Sequence, residues 1–155
     1  MPEFDFAHYH IFEEVGRGGM AIVYGAIDTR TEQTVALKIL YPHLMKDELN
    51  VKRFQREALV VSRLKHKFIV PFIEYGVHNN QTYIATQYML GNSLATLLNT
   101  PCSLKVKAIV RVLSEIASAL DYAHGQGVIH RDLKLQNILL DEERHAYLSD
   151  FGIAR

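Results

Sequence analysis

Two short stretches in the last part of the sequence carry residue types that phosphoryl transfer requires. Asp132, Lys134 and Asn137 lie in the stretch His-Arg-Asp-Leu-Lys-Leu-Gln-Asn, and Asp150 opens the stretch Asp-Phe-Gly. One carboxylate can accept or orient the proton of a hydroxyl group, and the other can bind a hard cation through oxygen. Asn137 adds a neutral oxygen ligand, and Lys134 adds a compact positive charge suited to phosphate. Each residue alone fits a turn or a surface charge, but together they predict a phosphoryl-transfer site.

A glycine-rich turn is predicted between the first two strands. Gly16, Gly18 and Gly19 lack the side chains that would keep backbone N–H groups away from a phosphate. The turn taken alone also fits an ordinary hairpin, because Ala21 occupies the third glycine position of a G-x-G-x-x-G pattern.

A lysine interrupts the apolar strand Val35–Leu40. The ammonium group of Lys38 must be paired, hydrated or bound to an anion, because burying it alone is costly. Glu57 follows Phe54 by three residues and precedes Val61 by four, so its carboxylate lies on the apolar stripe of a predicted helix. Either charge alone could reach solvent, but the two together predict an ion pair.

The composition excludes several classes of partner. The 155 residues contain 17 basic and 17 acidic side chains, so no basic field favours nucleic acid or anionic membranes. No apolar run approaches the ~20 residues that span a bilayer. The single Cys102 cannot form an internal disulfide, and the N-terminal residues do not resemble a signal peptide. We therefore expect a cytoplasmic protein.

Hydrophobic periodicity predicts an α+β architecture. The first half is predicted as a three-strand meander over 9–40 with turns at 16–19 and 29–33, a helix over 47–64, and strands over 69–77 and 82–89 joined by a turn at 78–81. The second half is predicted as a short helix over 93–99, a long helix over 104–124 capped by Ser103 and Gly125, and short strands over 128–130, 138–140 and 146–149.

The order of glycine turn, strand lysine, helix glutamate and two polar loops resembles the protein kinase family. The resemblance covers residues 9–155. It implies an N-lobe over 9–86 with a five-stranded antiparallel sheet and one large helix, a hinge over 87–91, and an incomplete, mainly helical C-lobe over 92–155. The lysine two places after Asp132 is similar to Ser/Thr kinases, and the Gly-Gly-Met turn and the final Asp-Phe-Gly-Ile-Ala-Arg look like the eukaryotic-like kinases of bacteria.

The resemblance also implies a role for each residue of the site. The residues implied in nucleotide binding are Val15, Gly16, Gly18, Gly19, Ala21, Val23, Ala36, Lys38, Glu57, Thr86, Gln87, Met89 and Leu139. Among them, the resemblance implies that Val15, Val23, Ala36 and Leu139 enclose the adenine base and that the hinge from Gln87 to Met89 contacts it through the backbone. Asp132 and Lys134 are implied in catalysis, and Asn137 and Asp150 in binding magnesium. The implied activity is that of a non-specific Ser/Thr protein kinase, which uses ATP and Mg²⁺ to phosphorylate a protein hydroxyl group.

The chain departs from the family pattern in its loops and its length. Leu135 and Lys67 stand where proline is usual, which should alter loop stiffness rather than chemistry. The sequence stops at Arg155, before the activation segment and the further helices of a kinase, so we expect turnover to need that missing half. The long helix is apolar on more than one side, and we expect it to expose a patch that a partner could cover.

Two alternatives stay open. One is a non-catalytic nucleotide-binding or scaffold module that acts through the exposed helix face. The other is a degenerate product that does not fold, against which the intact set of catalytic residues argues.

Overall fold

The computed structural model describes residues 3–101 and 105–151. The predicted capping residue Ser103 lies outside these ranges, as does the sequence after Phe151. The chain divides into two compact units: residues up to Ser62 join Pro71–Tyr88 in the first, and Arg63–Val70 join the residues from Met89 onward in the second. No helix in the described ranges is long and apolar enough to cross a membrane.

The first unit is built on a six-stranded antiparallel sheet. In chain order the strands are β1 (Phe4–Phe6), β2 (Tyr9–Arg17), β3 (Ala21–Asp28), β4 (Thr34–Leu40), β5 (Phe72–His78) and β6 (Gln81–Gln87), and their order in space is β1-β2-β3-β4-β6-β5. All five predicted strands form, although β5 begins at Phe72 rather than at 69 and β6 ends at Gln87 rather than at 89. The count of five is wrong by one, because β1 pairs with Tyr9–Ile11 of β2 over only three residues, too few to show a periodic pattern.

The two faces of this sheet are covered differently. Tyr9, Ile11, Leu37 and Ile39 belong to a core on one face, against which Phe6 of β1 packs. The other face carries Ala21, Leu40 and Ile84, which pack with Phe54 and Ala58 of α1 (Glu48–Arg63). The predicted helix over 47–64 is therefore confirmed, and Asp47 stands before it, where its carboxylate accepts a hydrogen bond from the Leu49 N–H at 2.9 Å.

The sheet's turns follow their residue types. Asn79 and Asn80 have φ values of 48° and 60° between β5 and β6. Two consecutive residues with positive φ match the twist of a tight hairpin, and asparagine adopts that conformation readily. The predicted turn over 78–81 is confirmed. The glycine turn is shorter than predicted, because Gly16 and Arg17 still pair with β3 and only 18–20 form the connection.

The second unit contains α2 (Leu94–Leu98), α3 (Val106–Gly125) and a hairpin of β7 (Ile138–Leu140) and β8 (Ala146–Leu148). Ser93 caps α2 by accepting a hydrogen bond from the Thr96 N–H at 3.1 Å. Glu115 of α3 is buried, and its carboxylate binds the Ala146 N–H at 2.7 Å and His145 Nδ1 at 2.6 Å. These contacts fix the hairpin against the helix.

Three predictions for the second unit are wrong in detail. Helix α3 begins at Val106 after Lys105, which makes no side-chain cap. Gly125 is the last helical residue rather than the stop, and Gly127 supplies the positive φ of 74° instead. No strand forms over 128–130, because the Val128 N–H is taken by the carbonyl of Ala123 at the end of α3.

The expected apolar patch on α3 is confirmed. Val106, Ile109, Val110 and Leu113 expose 76%, 43%, 60% and 64% of their surface, while Val112 and Ile116 face the core. We call these four exposed residues the α3 outer face.

Candidate functional site

The glycine turn of the first unit is open. A Cβ atom built at Gly16 or Gly19 would meet nothing within 4 Å, and one at Gly18 would meet only the carbonyl oxygen of Ala21 at 3.6 Å. That same oxygen accepts a hydrogen bond from the Gly18 N–H at 2.9 Å. The Ala21 side chain itself is buried in the core against α1, so only its backbone belongs to the turn.

Lys38 and Glu57 form the predicted ion pair. Lys38 Nζ lies 2.6 Å from Glu57 Oε1, and the two side chains are 24% and 14% exposed. The strand brings the ammonium group to the face that α1 covers, and the spacing from Phe54 brings the carboxylate to meet it. The prediction from residue types alone is confirmed.

Several other predicted nucleotide contacts share this sheet face. Val23 lies opposite Lys38, and Thr86 lies opposite Ala36, which precedes Lys38 by two residues. Directly opposed residues of an antiparallel pair point to the same side, as do residues two apart on one strand. Lys38 therefore shares this face with these three residues and with Ile84, which lies opposite it on β6. Gln87 ends β6 as an exposed residue, and its N–H donates to the carbonyl of Pro71 at 2.9 Å.

The second unit brings Asp132, Lys134 and Asn137 into direct contact. Asp132 Oδ2 lies 2.8 Å from Lys134 Nζ and accepts a hydrogen bond from Asn137 Nδ2 at 3.1 Å. The same amide nitrogen donates to the Asp132 carbonyl at 2.8 Å. The hydrogen bond from Lys134, more than that from Asn137, lowers the pKa of the Asp132 carboxyl. The carboxylate is 46% exposed and stays accessible.

Asn137 is positioned from both ends. It closes a short 3-10 turn over Leu135–Asn137 and is buried. Its carbonyl accepts hydrogen bonds from the Ser149 N–H at 2.9 Å and the Ser149 hydroxyl at 3.1 Å. Its amide nitrogen makes the two hydrogen bonds to Asp132, and no residue that the structure describes donates a hydrogen bond to its amide oxygen.

The residues that flank these contacts differ in backbone conformation and burial. Arg131 and Asp150 have φ values of 63° and 52°. Such conformations are uncommon for residues other than glycine and mark sites where the surrounding structure holds the backbone. Leu139, a predicted nucleotide contact, is half-buried on β7, and Met89 is half-buried after β6. Asp150 is exposed and directly precedes the buried Phe151.

His130 and Ser149 are site residues that the sequence reasoning did not single out. His130 Nε2 donates to the carbonyl of Ser149 at 2.8 Å, and its Nδ1 accepts the Asp132 N–H at 3.3 Å. Burial lowers the pKa of this imidazole, which agrees with a neutral ring that donates once and accepts once. Its position directly before Arg131 and Asp132 was the only signal in the sequence.

Comparison with known proteins identifies the family. The protein kinase domain family matches residues 9–155. The chain is 43% identical over 150 residues to the Ser/Thr protein kinase PknD of Mycobacterium tuberculosis, covering 97% of this chain and 23% of that protein. It is 39% identical over 148 residues to the probable Ser/Thr protein kinase PknB of Lactococcus lactis, covering 95% of this chain and 24% of that protein.

A solved structure shares the fold. The kinase domain of PknI from Mycobacterium tuberculosis superposes with a TM-score of 0.78 at 33% identity, covering 99% of this chain and 63% of that one. The chain thus spans about a quarter of the length of these curated relatives and less than two thirds of the solved domain. The α+β kinase-like fold is confirmed, and the chain belongs to the protein kinase family, among the eukaryotic-like Ser/Thr kinases.

Proposed function

We propose that this chain is the catalytic region of a Ser/Thr protein kinase, which transfers the γ-phosphoryl group of ATP, with Mg²⁺, to a protein hydroxyl group. The observation that carries the proposal is the Asp132 carboxylate, bound by Lys134 and Asn137 yet about half exposed. Such a group can receive a substrate hydroxyl while its orientation is fixed. We expect turnover to need the rest of a kinase domain, and a cytoplasmic location stays a prediction.

Asp132 is proposed to orient the attacking hydroxyl group and accept its proton. Because its pKa is lowered, the carboxylate is ionised at neutral pH and can accept a hydrogen bond from a Ser or Thr hydroxyl. Lys134, 2.8 Å away, is proposed to contact the transferring phosphoryl group. The Asp132 carboxylate would thus bind the substrate hydroxyl group, and the Lys134 ammonium group would bind the phosphoryl group.

Asn137 and Asp150 are proposed to hold Mg²⁺. Both offer oxygen, the donor that this hard cation prefers, and no described residue donates a hydrogen bond to the amide oxygen of Asn137. The metal would neutralise charge on the phosphate groups. Lys38 is proposed to bind phosphate oxygens, with Glu57 at 2.6 Å setting the direction of its ammonium group.

A thermal melt with and without ATP and Mg²⁺ tests the nucleotide site. Ligand at about 100 times its dissociation constant should add roughly 2.7 kcal/mol to the free energy of unfolding. We expect the shift in melting temperature to disappear in Lys38→Ala. Lys52→Ala is the matched control, because Lys52 also pairs with a glutamate, at 3.4 Å on the exposed surface. Equal melting temperatures with and without ligand in the parent chain would refute the nucleotide site.

Phosphate transfer is tested separately with Asp132→Asn in a version of the protein that includes the rest of the kinase domain. We expect this variant to keep the ATP-induced shift and to lose ~100-fold or more of the rate of labelling a Ser/Thr-containing protein, since a positioned general base contributes on that order. Asp121→Asn, an exposed substitution on α3, should change neither reading. A complete kinase domain that shows the shift but no transfer would favour the alternative function.

The alternative is a non-catalytic nucleotide-binding or scaffold module. The exposed apolar side chains of the α3 outer face favour it, because contiguous patches of this kind mark interaction surfaces. Partner binding that persists in Asp132→Asn and is lost on changing this face would support it.

A further inference from the structure

One hydrogen bond joins two distant segments of the first unit next to residues implied in nucleotide binding. The Tyr88 hydroxyl donates to Glu13 Oε1 at 2.5 Å across 75 positions of sequence. Both side chains are half-buried. Tyr88 stands between Gln87 and Met89, and Glu13 precedes Val15 by two residues. The two ends of this bond thus lie beside three of the implied contacts.

The glycine-turn end of β2 has few other supports. Strand β1 pairs only with Tyr9–Ile11, so beyond Ile11 the strand has a neighbour on one side, β3. Its register against β3 also shifts between Ile11 and Glu13 and again between Glu14 and Gly16. Such irregularities leave ladder positions unpaired and bend the strand. The hydrogen bond from Tyr88 therefore stabilises the part of β2 beyond Ile11, which has few other contacts in the sheet.

Gly25 makes room for the bond. A Cβ atom at this position of β3 would lie 2.9 Å from Glu13 Cγ and 2.9 Å from Phe12 Cζ, closer than real Cβ contacts. Phe12 also approaches the Tyr88 ring, with 6.3 Å between centroids. The missing side chain on β3 therefore lets Phe12 and Glu13 lie over the strand. Burial, with the hydrogen bond to Glu13, raises the pKa of Tyr88 to about 12, so the phenol remains a donor at neutral pH.

We propose that Tyr88 and Glu13 are positioning residues that fix the segments around Val15 and Gln87 for the base of the nucleotide. The inference rests on the proposed function, because it assigns these two residues to the same nucleotide site. Holding both segments in place before the ligand arrives removes an ordering cost from binding. Neither Tyr88 nor Glu13 is among the residues proposed to bind phosphate or Mg²⁺. The bond should therefore alter the affinity for the nucleoside part of the ligand.

Calorimetric titration of the chain with ATP plus Mg²⁺, and separately with adenosine, tests this inference. We expect Tyr88→Phe and Glu13→Ala to weaken both ligands by the same factor, roughly tenfold, as expected for one hydrogen bond to a charged group. Glu13→Gln keeps an acceptor and should recover most of the loss. The double variant Tyr88→Phe with Glu13→Ala should bind no more weakly than either single variant, because both remove one interaction.

Tyr75→Phe is the matched control. Its hydroxyl is buried on the same sheet and has no hydrogen-bond partner in the part of the chain that the structure describes, so its removal should leave both affinities unchanged. Melts without ligand establish that every variant is folded at the titration temperature.

The outcomes separate the two proposals. A parent that binds both ligands and a Tyr88→Phe variant that binds equally well would overturn this inference and leave the proposed function standing. Loss of ATP affinity with adenosine affinity unchanged would also overturn it, since the effect would then lie at the phosphates. A parent that binds neither ligand overturns the proposed function and this inference with it.

Discussion

At the scale of single residues, the charge state of Asp132 is set by its neighbours. The hydrogen bond from Lys134 is the largest influence lowering the pKa of its carboxyl, followed after the opposing effect of burial by the bond from Asn137. Both donors stabilise the ionised form, so the folded state holds this carboxylate charged to lower pH than an unfolded chain does. Its contribution to stability is present above the unfolded pKa and is lost as the pH falls through the lowered, folded pKa.

We predict that Lys134→Ala raises the pKa of Asp132 toward the ordinary range of a carboxyl group. The loss of the nearby ammonium removes the strongest stabilisation of the charged form. A pH titration of the Asp132 side-chain carbon followed by NMR measures the change directly. Lys105→Ala, an exposed lysine before α3, should leave it unchanged. Identical titration curves for the parent and Lys134→Ala would show that the pair has no influence.

Some of these residue-scale contacts could be predicted from the sequence and others could not. The Lys38–Glu57 pair followed from two charges on apolar faces, because each needed a partner. The contact of Lys134 with Asp132 depends on how the loop folds back after Arg131, whose φ is positive. Hydrophobic periodicity does not report that conformation. The two hydrogen bonds of Ser149 to Asn137 were missed for the same reason.

At the scale of elements, strands and long helices were predictable because their periodicity extends over many residues. Among the short elements, α2, β7 and β8 were predicted, whereas β1 was missed and the strand predicted over 128–130 does not form. Strand β1 has three residues and gains its identity from pairing with β2, and no strand forms over 128–130 because the end of α3 takes the Val128 N–H. In both places, contacts with another element determine whether a strand forms.

Substitution by alanine should have opposite effects on stability at Gly91 and at Gly125. A Cβ at Gly91 would lie 2.2 Å from the carbonyl oxygen of Asp141, whereas one at Gly125 would meet nothing within 4 Å. We expect Gly91→Ala to destabilise the chain by ~1–3 kcal/mol, because backbone atoms must move. Gly125→Ala ends a helix with alanine and should stabilise it by up to ~1 kcal/mol. Urea unfolding of both variants measures the two free energies, and a shared sign would refute this account.

A buried carboxylate of α3 holds the β7–β8 hairpin, whose turn also accepts a hydrogen bond from Arg111 of α3 at the Arg144 carbonyl, at 3.1 Å. Glu115 accepts hydrogen bonds from the Ala146 N–H and from His145, and its side chain is 6% exposed. In Glu115→Ala the buried N–H loses its partner, so we expect a loss of ~2 kcal/mol or more in the free energy of unfolding. Faster hydrogen exchange at the Ala146 amide would locate the effect. Glu142→Ala on the exposed turn is the control, and an equal loss there would contradict a specific role for Glu115.

At the scale of the whole molecule, the chain combines a packed apolar core with an apolar face that no described residue covers. Both units bury large side chains completely, among them Phe54, Leu37 and Leu148. Against that background the α3 outer face stands apart, because monomeric proteins seldom leave contiguous apolar residues in water. The sequence predicted this face, since α3 is apolar around more of its circumference than one neighbour can cover.

We predict that this face makes the chain associate with itself and bind hydrophobic dyes. Replacing Val110 by lysine and Leu113 by glutamate should lower the apparent mass in light scattering toward that of a monomer and reduce dye fluorescence. The melting temperature should hardly change, because both side chains are more than half exposed and substitutions on a surface usually alter stability by under ~0.5 kcal/mol.

Val112→Ser on the buried side of the same helix is the contrasting variant, which should lower the melting temperature and leave the face intact. A parent chain that is monomeric and does not bind the dye at high concentration would show that the α3 outer face is not an interaction surface.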